Sequence, residues 1–163
     1  MVAQPSILRA MIRVLFVCLG NICRSPMAES VFLHQVRAAG LESQIEVDSA
    51  GTGDWHIGDR PHQGTLEILK VNGIAEGSRA RQIRLSDLSE FDYLIVMDNS
   101  NRENVAKLGE SAAHVHRLLD FVPEIEAKEV PDPYFTGDFA GVYALVERGC
   151  AALLLQIRAQ HQL

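Results

Sequence analysis

A cysteine and an arginine separated by five residues stand out in the segment VCLGNICRSP. Cys18 follows a run of apolar residues that predicts a strand, and Ser25 and Pro26, after Arg24, predict the N-cap and first position of a helix. The residues between them then form a loop at the carboxyl end of a strand, where open α/β sheets bind ligands. Backbone N–H groups in such a loop, with a helix N-terminus behind them, suit a tetrahedral oxyanion. The spacing therefore predicts a phosphate-binding loop that carries a thiol.

The side chains of this loop suit a displacement at phosphorus. The positive field of the loop favours the thiolate form of Cys18, which makes it a nucleophile. Arg24 offers a planar fork of donors for two phosphate oxygens, and Ser25 is positioned to donate to the sulfur when it leaves. Gly20 permits a tight path, and Asn21 tolerates a left-handed conformation. We expect the phosphate site to be lined by Leu19, Gly20, Asn21, Ile22, Cys23 and Ser25.

A carboxyl group is needed to complete this chemistry, because the departing oxygen takes up a proton and a water molecule must later be activated. We expect Asp132 to fill both roles, since Pro131 and Pro133 limit the movement of its loop. Tyr134 and Phe135 follow it and are candidates for an aromatic wall. An aspartate between two prolines is, on its own, as often a simple turn residue.

The elements that must position these residues alternate between short β-rich runs and helical patterns, which predicts a parallel sheet with helices on both faces. The last helix has the clearest periodicity. Helices are also predicted from Ser25 toward Gly40, from Pro61 to Gly73 and over SNRENVAKLG. The predicted strands are RVLFV, IEVD, YLIVM and HVHRLL, and the apolar face of the last helix comprises Val142, Leu145, Val146, Cys150, Leu153, Leu154 and Ile157.

Composition limits the possible partners. The 163 residues are 47% hydrophobic with a formal net charge of −6, so a chain-wide attraction to nucleic acid or to an anionic membrane is not expected. The chain begins without a secretory signal pattern, and three cysteines in such a chain indicate thiols, so we expect a cytoplasmic protein. His114 and His116 share a strand face without a third ligand, so no metal site is predicted.

The segment VCLGNICRSP with the distant DPY resembles the low-molecular-weight protein tyrosine phosphatases. The resemblance runs from about Ile12 to the last helix and includes DSAGTGDW, ARQ and YLIVMDNSN. It implies an α/β three-layer sandwich with a four-stranded parallel sheet flanked by helices and the phosphate-binding loop after the first strand. It also implies hydrolysis of phosphotyrosine without metal or cofactor, with Cys18 as nucleophile, Arg24 as transition-state clamp and Asp132 as general acid, then base.

Further expectations follow from the same resemblance. Asn21, Ser25 and Ser49 are implied to form a hydrogen-bond network that supports the loop, and Trp55 falls in a variable aromatic segment at the pocket mouth. Family members commonly have a histidine two residues before ARQ, where this chain has Ser78. Residues 1–10 precede the usual start of the family and receive no function, which leaves 11–163 as a single domain.

Several alternatives remain open at the level of sequence. Cys18 and Cys23 are candidates for a reversible disulfide, and the alternative is that Cys23 simply packs beneath the loop. A protein-arginine phosphatase typically has a threonine where this chain has Ile22, and an arsenate reductase needs a later pair of cysteines, whereas only Cys150 follows. A non-catalytic phosphocarrier would have little use for Asp132. Expected partners are tyrosine-phosphorylated proteins, with a monomer or weak self-association.

Overall fold

The computed structural model describes residues 11–163. The prediction that residues 1–10 are an extension without function lies outside this range. The strands are β1 (Ile12–Cys18), β2 (Ile45–Gly51), β3 (Tyr93–Val96) and β4 (His114–Arg117). The helices are α1 (Arg24–Ala38), α2 (Gln63–Val71), α3 (Asp87–Glu90), α4 (Asn99–Ala106), α5 (Pro133–Thr136) and α6 (Phe139–His161), with a short 3₁₀ helix at Leu118–Phe121.

The four strands form one sheet in the order β2-β1-β3-β4, and all neighbouring pairs are parallel. This confirms the predicted α/β fold. β1 lies between β2 and β3 and is almost wholly buried, which explains its unbroken apolar sequence. The chain leaves β1 toward one edge and returns at β3 toward the other. The carboxyl ends of β1 and β3 therefore flank the point where the strand order reverses, a position that favours ligand binding.

Apolar side chains cover the sheet on both faces. α1 and α6 pack on one face around Phe16, Phe32 and Leu153, while Leu88 and Val105 from α3 and α4 help to cover the other. The predicted apolar face of α6 is buried, except for a partly buried Leu145. By length and composition alone, α6 is long and apolar enough to cross a membrane. One side of it is instead buried in this core, as in the core helix of a soluble protein. Packing of α6 on α1 holds the first helix against β1.

The start of α1 differs from the prediction. The helix begins at Arg24 with Cys23 as the N-cap residue, and no side chain caps it. Ser25 lies inside the first turn, and its hydroxyl contacts the Cys18 sulfur instead of capping the helix. A serine before proline normally suits an N-cap, but here a tertiary contact takes its hydroxyl. The N–H groups at the beginning of α1 are consequently left without a side-chain cap, which suits an anion site.

Candidate active site

The loop after β1 directs its first amide groups toward one point. The Cys18 carbonyl accepts a hydrogen bond from Thr52 N at 2.9 Å, and the Leu19 carbonyl accepts one from Gly53 N at 2.8 Å. In a trans peptide the carbonyl and the following N–H point in opposite directions, and no cis peptide occurs in residues 11–163. The N–H groups of Leu19 and Gly20 therefore face away from the segment after β2 and toward the enclosed side of the loop.

The second half of the loop is fixed in the same way from the start of α2. The Ile22 carbonyl accepts from His62 N at 2.7 Å, and the Cys23 carbonyl accepts from the Thr65 hydroxyl at 3.1 Å. The N–H groups of Cys23 and Arg24 are thereby turned inward as well. Four outward carbonyls thus produce a ring of inward amides, which we call the cradle, and this arrangement suits the anion site predicted from the sequence.

The residues predicted to support the loop contact one another. Asn21 adopts the expected left-handed conformation, with φ of 56°, and its Nδ2 donates to Ser25 Oγ at 2.7 Å and to Ser49 Oγ at 2.9 Å. Ser25 Oγ lies 2.9 Å from the Cys18 sulfur. Because Asn21 already donates to Ser25 Oγ, the hydroxyl proton of Ser25 is free to point at the sulfur. The Ser25 hydroxyl is therefore placed to donate to the Cys18 sulfur.

A buried carboxylate, Glu29 on α1, continues this network and was missed in the sequence analysis. Its side chain accepts from Ser49 Oγ at 2.5 Å, Ser78 Oγ at 2.7 Å and Ser78 N at 2.8 Å. A Cβ at Gly77 would lie 2.0 Å from the Glu29 carboxylate, so only glycine lets the chain pass so closely. Ser78 therefore joins the network through Glu29. A charged residue between Ala28 and Val31 on the buried side of the helix was the available signal.

Arg24 is held almost completely inside the protein, with 2% of its surface exposed. Nη1 donates to Asp98 Oδ2 at 2.6 Å and to the Val130 carbonyl at 3.0 Å, while Nη2 donates to Asp132 Oδ2 at 3.3 Å. Burial opposes the charge, but Cys18 and the two carboxylates hold the pKa of Arg24 above its ordinary value. Nε is buried and has no partner among the described residues, which leaves a donor for a ligand oxygen.

Asp98 positions Arg24 and was also missed by the sequence analysis. It is the N-cap residue of α4, where its Oδ1 accepts from Asn101 N at 2.8 Å. Its other oxygen takes the guanidinium. Because β3 lies next to β1, a cap at the end of β3 comes within reach of the loop after β1. In sequence, Asp98 before SNRENVAKLG carries the signal of a helix cap only.

Asp132 meets Arg24 at the edge of the cradle. Its Oδ1 accepts from Tyr134 N at 3.1 Å, which caps α5, and Oδ2 faces Arg24. Val130 N donates to the Met97 carbonyl at 2.9 Å, so this segment is tied to the end of β3. About a fifth of the Asp132 side chain is exposed, at 21%. One oxygen is thus anchored while the carboxyl group still lines the pocket.

Nine of the predicted site residues line a cavity of about 380 Å³, whereas Asn21, Arg24 and Ser25 are buried and are not among its lining residues. Trp55, Tyr134 and Phe135 form its rim and are 68%, 55% and 76% exposed, as an open aromatic mouth requires. His56 lines it as well and was not predicted; its ring packs against Gly20, where an added Cβ would lie 3.2 Å from it. The lining comprises Cys18, Leu19, Gly20, Ile22, Cys23, Trp55, His56, Asp132, Tyr134 and Phe135. A groove of about 790 Å³ between α1 and α6 contains none of the predicted residues.

Cys23 lies in the same pocket but in a different electrostatic state. Burial raises the pKa of Cys23 to about 12, and the negative charges of Cys18 and Asp132 add to this effect. Cys23 is therefore a neutral thiol beside Cys18 at neutral pH. Both cysteines are free. Across residues 11–163, no group of three or more His, Cys, Asp and Glu side chains is arranged to hold a metal ion.

Comparison with known proteins gives matches over nearly the whole described chain. A family model described as low molecular weight phosphotyrosine protein phosphatase matches residues 13–163. The low molecular weight protein-tyrosine-phosphatase YfkJ of Bacillus subtilis is 49% identical over 156 residues, which cover 94% of this chain and 100% of the relative. The crystal structure of YfkJ gives a TM-score of 0.90 and covers 93% of this chain and 97% of its own.

A relative of different stated activity is also similar in structure. The crystal structure of DARP, a drosophila arginine phosphatase, is 32% identical and gives a TM-score of 0.85. It covers 90% of this chain and 98% of its own. The same scaffold therefore occurs in proteins whose names state different phosphorylated residues.

Proposed function

The chain belongs to the low molecular weight phosphotyrosine protein phosphatase family, and we propose that it hydrolyses phosphotyrosine in proteins through a phosphocysteine intermediate on Cys18. It is a cysteine-dependent protein-tyrosine phosphatase. The observation that carries the mechanism is the cradle of inward amides, in which the Cys18 sulfur lies beside the Ser25 hydroxyl and a buried Arg24 Nε has no partner among the described residues. These groups together suit the attack of a thiolate on a bound phosphate.

The first step forms a bond between the Cys18 sulfur and phosphorus as the ester oxygen departs. Asp132 supplies the proton to that oxygen, since its carboxyl group lines the pocket beside Arg24. The amide cradle and the guanidinium stabilise the charge on the transferring phosphoryl group. The products of this step are the phosphocysteine and a free phenol.

The second step returns the enzyme to its starting state. Asp132, now a carboxylate, takes a proton from water, whose oxygen attacks phosphorus as the bond to sulfur breaks. The Ser25 hydroxyl donates to the departing thiolate, in keeping with its distance of 2.9 Å. Inorganic phosphate is the product.

The aromatic mouth supports an aryl phosphate as substrate. Trp55, Tyr134 and Phe135 stand above the cradle, where the ring of phosphotyrosine can pack between them. We expect a phosphoserine side chain to be too short to bring its phosphate past this rim. We therefore propose tyrosine-phosphorylated proteins as partners, with a cytoplasmic location, no use of nucleic acid or membrane, and a monomer or weak self-association.

The alternative activities have less support from the site. Ile22 occupies the loop position where an arginine phosphatase typically has threonine. Because the chain is similar to DARP, phosphoarginine is still included among the substrates to be tested. An arsenate reductase needs a resolving cysteine pair, whereas Cys150 is fully buried on α6. A phosphocarrier is disfavoured because Asp132 is available to hydrolyse the intermediate.

Steady-state phosphate release in EDTA from phosphotyrosine, phosphoserine and phosphoarginine peptides tests this function. We expect turnover on phosphotyrosine, its loss in Cys18→Ser, and a decrease of about 10²- to 10⁴-fold in kcat for Asp132→Ala. The exposed Asp54→Ala serves as a control and should retain full activity. Faster turnover on phosphoarginine would overturn the assignment of phosphotyrosine as the substrate. Release of one equivalent of phosphate without further turnover would favour the phosphocarrier.

We further propose that Cys18 and Cys23 form a reversible disulfide on oxidation. Both thiols line one pocket, and the charge of Cys18 is felt by Cys23. A peroxide converts the Cys18 thiolate to a sulfenic acid and is itself reduced; attack by Cys23 then forms the S–S bond and releases water. Peptide mapping after peroxide treatment should find this crosslink and the return of activity with dithiothreitol. Over-oxidised Cys18 without a crosslink would contradict the proposal.

A further inference from the structure

His62 joins the phosphate loop to the start of α2 through its backbone and its side chain. Its backbone N–H donates to the Ile22 carbonyl at 2.7 Å, one of the four bonds that turn the loop amides inward. Its Nδ1 accepts from Gly64 N at 3.0 Å and so caps α2. An accepting Nδ1 carries no proton, so the neutral tautomer with the proton on Nε2 is the one that caps the helix.

The ring of His62 also contacts the aromatic wall. It stacks on Phe139, with ring centroids 5.0 Å apart and planes inclined by 19°, and it meets Tyr134 edge-on at 6.1 Å and 80°. A Cβ at Gly64 would lie 2.5 Å from the Phe139 ring, so a glycine at that position gives the ring room to lie over the start of α2. The imidazole is therefore held between the first residue of α6 and the wall of the pocket.

The Tyr134 side chain is largely exposed, and two aromatic contacts hold its ring. Its side chain is 55% exposed, and besides His62 its ring contacts Phe135, which is itself 76% exposed. The backbone of Tyr134 is anchored through Asp132 Oδ1, but that bond leaves the ring free to rotate about its own side-chain bonds. Of its two aromatic partners among the described residues, His62 is the half-buried one.

We propose that His62 is a positioning residue that holds Tyr134 at the distance from the phosphate loop that an aryl phosphate requires. The inference rests on the proposed function. His62 is not among the residues that line the pocket, so it acts through Tyr134 and not on the substrate. His62 thus contacts both sides of the pocket. Its backbone N–H holds Ile22 on the phosphate side, and its ring contacts Tyr134 on the side of the aryl group.

Two substitutions separate the parts of this role. His62→Asn keeps a side chain that caps a helix well but removes the ring, whereas His62→Phe keeps an aromatic ring but has no acceptor for Gly64 N–H. Both variants keep the backbone bond to Ile22. The exposed His34 on α1 provides a matched control as His34→Asn.

The measurements are KM and kcat for p-nitrophenyl phosphate and the inhibition constant of inorganic phosphate, which reports on the cradle alone. We expect His62→Asn to raise KM about three- to tenfold, as the loss of one aromatic contact implies, with an unchanged phosphate inhibition constant. His62→Phe should restore a KM close to wild type while lowering Tm. In a Tyr134→Ala background, His62→Asn should have no further effect on KM.

Other outcomes would overturn the inference. A parallel rise of KM and of the phosphate inhibition constant in His62→Asn would make His62 a purely structural support of the loop. An additive effect in the Tyr134→Ala background would show that the ring does not act through Tyr134. A normal KM in His62→Asn would remove the role while leaving the proposed function intact, whereas a wild-type protein without turnover would overturn both.

Discussion

At the scale of residues, Glu29 shows how one buried side chain supports the loop that carries Cys18. A carboxylate with 4% exposure is costly unless hydrogen bonds replace its water, and three bonds from the two serines Ser49 and Ser78 do so. All three donors are neutral. Ser78, at the position of the family's usual histidine, thus contributes a hydroxyl and a backbone N–H to the support behind Asn21. The network remains connected although the imidazole is missing.

We expect Glu29→Gln to weaken both stability and catalysis. The amide nitrogen of glutamine cannot accept, so either Ser78 N–H or a serine hydroxyl loses its partner in a buried place. Such a loss costs about 1–3 kcal/mol of the free energy of unfolding. Urea denaturation and kcat for p-nitrophenyl phosphate measure the two effects, and both should fall. Ser78→Ala should have a smaller effect because the backbone N–H of residue 78 still donates to Glu29.

The exposed Ser89→Ala is the control for the serine substitution, since its hydroxyl donates to the carbonyl of Ser86, the N-cap residue of α3. Its stability and kcat should equal those of the wild type. Wild-type behaviour of Glu29→Gln would mean that the support behind Asn21 does not depend on the carboxylate charge.

At the scale of elements, local sequence rules explain most of the fold. Three patterns predicted the parallel sheet and the helices that cover it. They are the apolar run of β1, the alternation of strands and helices, and the periodicity of α6. The start of α1 was predicted wrongly. The rule for a serine before proline considers only the helix, whereas the hydroxyl of Ser25 is taken by a sulfur on the preceding strand.

The residues of the site likewise fall into those that local sequence motifs predicted and those that depend on tertiary contacts. The short motifs around Cys18, Arg24 and Asp132 predicted that these residues share one site, and the structure brings them together. The contacts of Asp98 and Glu29 could not be predicted, because they arise only when β3 lies beside β1 and when β2 brings its end to α1. In the sequence, Asp98 is fully explained as a helix cap, so nothing indicated that its second carboxylate oxygen binds Arg24.

At the scale of the whole molecule, Arg81 ties the support of the loop to the rest of the fold. Its backbone N–H donates to Asn21 Oδ1 at 3.0 Å, and its guanidinium bonds Asp48 on β2 at 3.1 Å and Asp87 on α3 at 2.9 Å. Asp87 has no exposed surface. The stability of the fold and the geometry of the phosphate loop are thus linked through one cation.

This link predicts sensitivity to acid. Burial alone would raise the pKa of Asp87, but its bonds to Arg81 and to Arg84 N hold the pKa below its ordinary value. The folded state therefore keeps the carboxylate more readily than the unfolded state, whose value is about 3.9. The resulting stability is fully present above about pH 4 and is lost as the pH falls through the folded pKa. The free energy of unfolding should accordingly decrease steeply below about pH 4.

Asp87→Asn isolates this contribution. The variant should be less stable at neutral pH by about 2–4 kcal/mol, because Arg81 loses a buried charged partner, and its stability should depend less on pH below about 4. Some slope will remain, since Arg117 and Arg60 also lower the pKa values of Asp120 and Glu76. Urea midpoints between about pH 7 and pH 2.5 measure both effects, with exposed Asp54→Asn as control. Parallel curves for Asp87→Asn and wild type below about pH 4 would contradict the link, because a lowered pKa must appear as a difference in slope.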